Sequence, residues 1–171
     1  IRFVHRAIGY TLTGETSAQV FFILHGEGAN GKSTFIDVLR ALLGDYAQQS
    51  DFSTFHDVKF ESRGAASPEL ARLKGVRMVA AVESDQGKPI SEARMKQYTG
   101  GDKIVARFLH QNVIEFNPEF KIWLVANHKP KVRESGHAFW RRVMLIPSHV
   151  TILKEARNPC LNKELIEELP G

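Results

Sequence analysis

Residues 26–34 read Gly-Glu-Gly-Ala-Asn-Gly-Lys-Ser-Thr, and these types at this spacing suit the holding of a polyphosphate. Gly26, Gly28 and Gly31 let the backbone bend tightly and turn its N–H groups toward an anion. A helix beginning after Gly31 adds the partial positive charge of its N-terminus. Lys32 can reach the β- and γ-phosphates of a nucleoside triphosphate, and the Ser33 hydroxyl can coordinate Mg²⁺. The run fits the P-loop pattern, GxxxxGK followed by Ser or Thr. Gly26, Glu27, Gly28, Ala29, Asn30, Gly31, Lys32, Ser33 and Thr34 are therefore the candidate nucleotide-binding set. A chance glycine-rich turn is the bland alternative, and the flanks argue against it. Val20 to Leu24 is an apolar strand, and Phe35, Val38, Leu39 and Leu42 follow at a spacing that shares one helix face.

Further groups downstream could do chemistry with a bound triphosphate. Val76 to Val82 reads as a buried strand closed by Glu83-Ser84-Asp85. An acid at such a strand end resembles a Walker B carboxylate, which holds Mg²⁺ or activates the attacking water. Glu83 is the first choice and Asp85 the second; a merely solvated strand end is the alternative. Phe120 to Ala126 is a third buried strand tipped by Asn127, placed either to set a water against a γ-phosphate or to form a turn before Pro130. Ile104–Phe108 and Val113–Phe116 flank the polar stretch 109–112 and predict a β-hairpin. Lys103, Arg107 and His110 put positive charge along it and near its tip, for nucleic acid or simply for solvent.

The remaining chain must position these groups. With 171 residues and 43% hydrophobic content, the length suits one domain, or one domain with fragments of its neighbours. No apolar run approaches the ~20 residues needed to span a bilayer. Cys160 is the single cysteine, so neither a disulfide framework nor a cysteine metal site is available. The 23 Lys and Arg against 19 Asp and Glu leave a net charge of +4, a modest excess that suits a nucleic-acid partner. It is concentrated in residues 94–142, which hold ten cations and four acids. Residues 2–8 have helical spacing with Gly9 as a stop, and read as the excised end of an upstream helix. The P-loop helix is expected to end near Leu43 with Gly44 as its cap. Residues 45–66 read as irregular, Ser67-Pro68 as a helix start, 90–98 as a short helix, 143–147 as a fourth strand and 162–169 as a last helix.

Several phrases together resemble the superfamily 3 helicases, most closely the phage- and plasmid-type primase-helicases related to the poxvirus primase-helicase. They are Gly26 to Phe35, Leu43-Gly44-Asp45-Tyr46-Ala47, Lys96 to Asp102, Phe120 to Pro130, and Phe139-Trp140-Arg141-Arg142. The resemblance implies an AAA+-like α/β P-loop NTPase core with a central parallel sheet and an inserted β-hairpin. It implies a segmentation into 1–19, an upstream helical end, 20–150, the ATPase core, and 151–171, a truncated C-terminal segment. It also implies a homo-oligomeric ring, usually a hexamer, that uses ATP and Mg²⁺ to move on single-stranded DNA. Lys32 and Ser33 match Walker A, Glu83 matches Walker B, and Asn127 matches the sensor Asn. Arg142, with Arg141 as a close rival, falls where the family places an arginine directed at a neighbour's ATP. Lys103, Arg107 and His110 fall in or beside the DNA-contacting hairpin. A primase domain is expected upstream, no membrane is involved, and the location is the cytoplasm, of a bacterial host if the element is a phage or plasmid. Two rival readings are a small P-loop kinase and a non-hydrolytic ATP-binding assembly module. The hairpin would have no purpose in the kinase, and unchanged turnover after Glu83→Gln would favour the module.

Overall fold

Apolar runs covered on both faces are what a parallel sheet demands, and they form the centre of this molecule. The computed structural model describes residues 1–56, 66–83, 89–128, 132 and 136–169. In chain order the elements are α1 (Arg2–Leu12), β1 (Phe21–His25), α2 (Lys32–Leu43), β2 (Ala47–Gln49), α3 (Pro68–Ala71), β3 (Met78–Val82) and α4 (Glu92–Gly100). Then come β4 (Ile104–Ala106), β5 (Ile114–Phe116), β6 (Lys121–Ala126), α5 (His137–Trp140), β7 (Val143–Pro147) and α6 (Leu161–Glu167). Five strands form one sheet in the order β2-β3-β6-β1-β7, all parallel, and β4 and β5 form a separate antiparallel pair. The fold is an α/β P-loop NTPase-like core with an inserted hairpin.

Alternation along the strands splits the core in two. Phe21, Ile23, Val79, Ala81, Ile122 and Leu124 face one side, with Phe52, Phe55, Met95 and Phe139. Phe22, Leu24, Met78, Ala80, Trp123 and Val125 face the other, against Ala7 of α1 and Ile36 and Leu39 of α2. Because β6 lies between β1 and β3, the register Leu24↔Val125 and Val82↔Val125 brings three strand ends level. The loops leaving those ends carry the P-loop, Glu83 and Asn127.

Several sequence expectations are corrected. Helix α1 does not stop at Gly9 but runs to Leu12, because Thr11 is buried: its hydroxyl donates to Ala7 O at 2.7 Å and accepts from Trp123 Nε1 at 3.0 Å. On α2, Leu39 is buried as expected and Phe35 packs partly against the core, but Lys32 and Ile36 complete the buried face and Leu42 is left exposed. Residues 47–49 form an edge strand where irregular chain was expected. The hairpin strands are shorter, three residues each, and a seven-residue link (107–113) replaces the four-residue turn. Ser67 and Ser91 do precede α3 and α4, and Ser91 Oγ accepts from Arg94 N.

Candidate nucleotide-binding site

The backbone of the P-loop is built on positive φ values. Gly26, Gly28 and Gly31 have φ of 156°, 89° and 80°, and Ala29 sits at 48°. At Gly26 glycine is required by space as well, since an added Cβ would lie 2.1 Å from Ser148 O and 2.6 Å from Asn30 Nδ2. The chain after β7 lies against the loop. Asn30 Nδ2 donates to Ser148 O at 3.0 Å, and Ile152 N donates to Ala29 O at 2.8 Å. Gly31 precedes α2 with no side chain capping the helix, so its first N–H groups are left for an anion.

Lys32 is buried, and its Nζ donates to Gly26 O at 2.6 Å and Asn30 Oδ1 at 2.9 Å. Both acceptors are neutral, and burial pulls its pKa below the ordinary lysine value. A buried ammonium without a carboxylate is a strong site for a phosphate. Residues 28–34, Val82, Glu83, Val125 and Asn127 line one cavity of about 360 Å³. Burial pushes the Glu83 carboxyl up, opposed by the charge of His128 and a hydrogen bond from the Asn127 backbone. Among the described residues that line the cavity, Glu83 and Ser33 carry oxygens suited to a divalent cation. Mg²⁺ is commonly held by one or two protein oxygens together with phosphate and water, so the residues present fit it. No group of three or more His, Cys, Asp or Glu placed for a metal occurs among the described residues. Asp85, the second acid, lies outside the described residues.

A second cavity, of about 370 Å³, adjoins the first through Asn127 and is lined by His25, Gly26, Glu27, His128, Ser148 and His149. Sequence reasoning missed its imidazoles, which are scattered along the chain and fit no spacing motif. The structure thus gathers Lys32, Ser33, Glu83 and Asn127 but not the arginines. Arg141 and Arg142 precede β7, at the end of the strands opposite the P-loop. Arg141 is exposed, whereas Arg142 is buried, with Nη1 donating to Ala138 O. Burial and the adjacent Arg141 charge lower the Arg142 pKa.

The hairpin departs from a cationic finger. Lys103 pairs with Glu115 at 3.7 Å near the hairpin's base. Arg107 is tied at the shoulder, where its backbone exchanges bonds with Ser67 and its Nε is buried. His110, at φ 60°, stands in the exposed link between exposed Leu109 and Val113.

The model of the family of unknown function DUF5906 matches residues 24–142. The chain belongs to that family. It is 39% identical over 136 residues to "Putative helicase L207/L206" of Acanthamoeba polyphaga mimivirus, covering 80% of this chain and 14% of that protein. Against "Putative helicase 022R" of Frog virus 3 it is 31% identical over 156 residues, covering 89% and 16%. Solved structures with the same fold include the NrS-1 C-terminal region, with a TM-score of 0.68 and 14% identity over 89% of this chain and 35% of that one. JCV helicase has a TM-score of 0.55 and 17% identity over 95% and 44%. The chain spans about one-sixth of the length of those two viral relatives. Among the described residues no helix is long and apolar enough to cross a membrane.

Proposed function

We propose that this DUF5906 chain contains the ATPase core of a superfamily 3 helicase, within residues 20–150, that moves on single-stranded DNA during replication of a viral or mobile element. The observation that carries the reading is the single cavity shared by Lys32, Ser33, Glu83 and Asn127 at three adjacent strand ends. ATP is the substrate. The 26–34 backbone and Lys32 hold its phosphates, while Glu83, kept basic by a raised pKa, accepts a proton from the attacking water. Asn127 orients that water. When bound at Ser33 and Glu83, Mg²⁺ supplies charge neutralisation at the β- and γ-phosphate oxygens.

Among the described residues, no arginine lines the cavity. β1 and β7 rise about 13 Å over five residues, which separates Arg141 from the P-loop of its own subunit. We therefore assign the charge-stabilising arginine to a neighbouring copy in a ring, and to Arg141 rather than buried Arg142. The names of the viral relatives support helicase activity, and a shared fold supports the motor. His110, Leu109 and Val113 are the hairpin residues placed to meet the strand. A primase segment, if present, lies elsewhere in the full-length protein.

The test is ATP turnover by the full-length protein as its concentration rises, with and without single-stranded DNA. Turnover per subunit should climb with concentration and with DNA. Turnover strictly proportional to concentration and indifferent to DNA would overturn the ring-helicase reading.

A further inference from the structure

Two guanidinium groups converge on one amide oxygen at the end of β1 and β7 remote from the nucleotide cavity. Gln19, in the link between α1 and β1, accepts through Oε1 from Arg141 Nη2 at 2.5 Å and from Arg142 Nη2 at 3.3 Å. Strand register produces this meeting. β1 and β7 pair from Phe21↔Val143, and Phe21 N donates to Arg142 O at 2.9 Å. Carried two residues back along both chains, that register sets Gln19 beside Arg141. Gln19 also adopts φ 52°, a left-handed conformation that non-glycine residues seldom hold, and its N–H closes on Thr16 O at 2.9 Å. A strained backbone maintained by surrounding bonds points to a side chain that must be aimed.

We infer that Gln19 is a positioning residue that presents Arg141 to the nucleotide held by a neighbouring copy. This rests on the in-trans reading of Arg141 given above. The two arginines divide the work. Arg142 is buried and anchored to Ala138 O, so it fixes the amide from below. Arg141 is exposed and touches the amide from the surface side, where a neighbour can be reached. Residue type matters here. An amide oxygen accepts from a guanidinium without neutralising it, so Arg141 keeps its full charge for a γ-phosphate. A carboxylate at the same place would form an ion pair and hold that charge back.

The test uses full-length protein carrying Gln19→Gly, Gln19→Glu, Arg141→Ala or Lys32→Ala, alone and mixed in pairs. Gln19→Gly removes the amide and suits the left-handed backbone, so folding is preserved. Its kcat should fall roughly 10²-fold, the effect expected of a misplaced group, with KM for ATP unchanged. Gln19→Glu should lower kcat as well, without lowering the melting temperature. Mixing is decisive. Lys32→Ala subunits cannot hydrolyse ATP but still present an intact Arg141, so they should restore turnover to Gln19→Gly subunits. Arg141→Ala subunits should not. Wild-type kcat in Gln19→Gly or in Gln19→Glu overturns the inference, as does lost activity that Lys32→Ala fails to restore while the Arg141→Ala and Lys32→Ala mixture is active. If that last mixture is itself inactive, the in-trans reading fails and the role of Gln19 fails with it.

Discussion

Replacing Gly26 by alanine is the sharpest perturbation of the nucleotide site, because it adds one methyl where the structure has no room. The new Cβ would stand 2.1 Å from Ser148 O, and reaching the 3.4 Å of ordinary contact requires a 1.3 Å displacement. Neither side yields easily. Ser148 N is bonded to His25 O at 2.8 Å, continuing the β1–β7 pairing, and Ser148 O accepts from Asn30. On the other side, Gly26 O and Asn30 Oδ1 are the two acceptors of Lys32 Nζ. Overpacking of this kind costs about 1–3 kcal/mol, and a chain of this size loses about 2–4 °C of melting temperature per kcal/mol. A fall of roughly 2–12 °C is the expected result. The functional loss should be larger, since moving a phosphate-holding loop by about 1 Å can cost 10²-fold in turnover.

The assay is thermal melting, binding of a fluorescent ATP analogue and steady-state turnover by full-length Gly26→Ala. Two other glycines serve as controls. Gly28, at φ 89°, has no atom within 4 Å of an added Cβ, so Gly28→Ala carries backbone strain without a clash. Gly9 lies inside α1 in open space, and Gly9→Ala should stabilise by about 0.5–1 kcal/mol. Wild-type turnover in Gly26→Ala, or a heavier loss in Gly28→Ala than in Gly26→Ala, would refute the reasoning.

Three further predictions concern charge. Glu83→Gln should abolish most turnover, about 10²–10⁴-fold for a lost proton acceptor, while the melting temperature at neutral pH rises. The sign follows from the raised pKa: the folded state binds this proton more tightly than the unfolded chain, so the ionised carboxylate disfavours folding above that pKa. A lower melting temperature at pH 7 contradicts this. The acid limb of wild-type turnover should likewise lie above the ordinary glutamate value of 4.5. Lys121 is buried among the carbonyls of Thr13, Glu15 and Glu119, and burial lowers its pKa from 10.5 to about 8. The unfolded chain therefore keeps this proton longer, and stability should rise between about pH 8 and 10.5 in the wild type. Lys121→Met should flatten that rise in a pH series of denaturant melts, and an unchanged slope counts against it. Finally, Leu109→Ala and His110→Ala should weaken single-stranded DNA binding without altering its salt slope. A phosphate contact would be worth about 0.7 in that slope, so a drop of that size in His110→Ala shows ionic gripping instead.

What could be read from the sequence followed from burial on both faces. β1, β3 and β6 announce themselves as unbroken apolar runs, and the P-loop, Glu83 and Asn127 follow directly from where those runs stop. β2 is invisible because Ala47-Gln48-Gln49 is a polar edge strand whose pairing comes wholly from β3. The expected face of α2 holds at Leu39 but not at Leu42, because Lys32 is itself buried by the site it serves and the buried stripe runs through Ile36. The resemblance directs Arg142 at a neighbouring subunit, yet its side chain is buried. Phe139 is fully buried against Phe21, and that packing brings the following turn, with Arg142, into the protein. No local pattern marks Gln19, whose importance arises from strand register, a tertiary fact.

β7 joins the two halves of the proposed machinery. Its first residue follows Arg142 and sits level with Phe21, beside Gln19; its last, Pro147, pairs with His25 and leads into Ser148. Ser148 then contacts Asn30, and Ile152 contacts Ala29, so this segment holds the loop that positions Lys32. In the proposed ring, five residues of backbone, about 13 Å, would therefore link the arginine offered to one neighbour with the P-loop that would receive an arginine from the other. Coupling between sites requires such a contiguous physical element. In a ring, an arginine drawn toward a neighbour's phosphate would pull on the same strand that fixes the donor's own P-loop. Hydrolysis at one interface would then reach the next through β7, with no separate signalling segment needed.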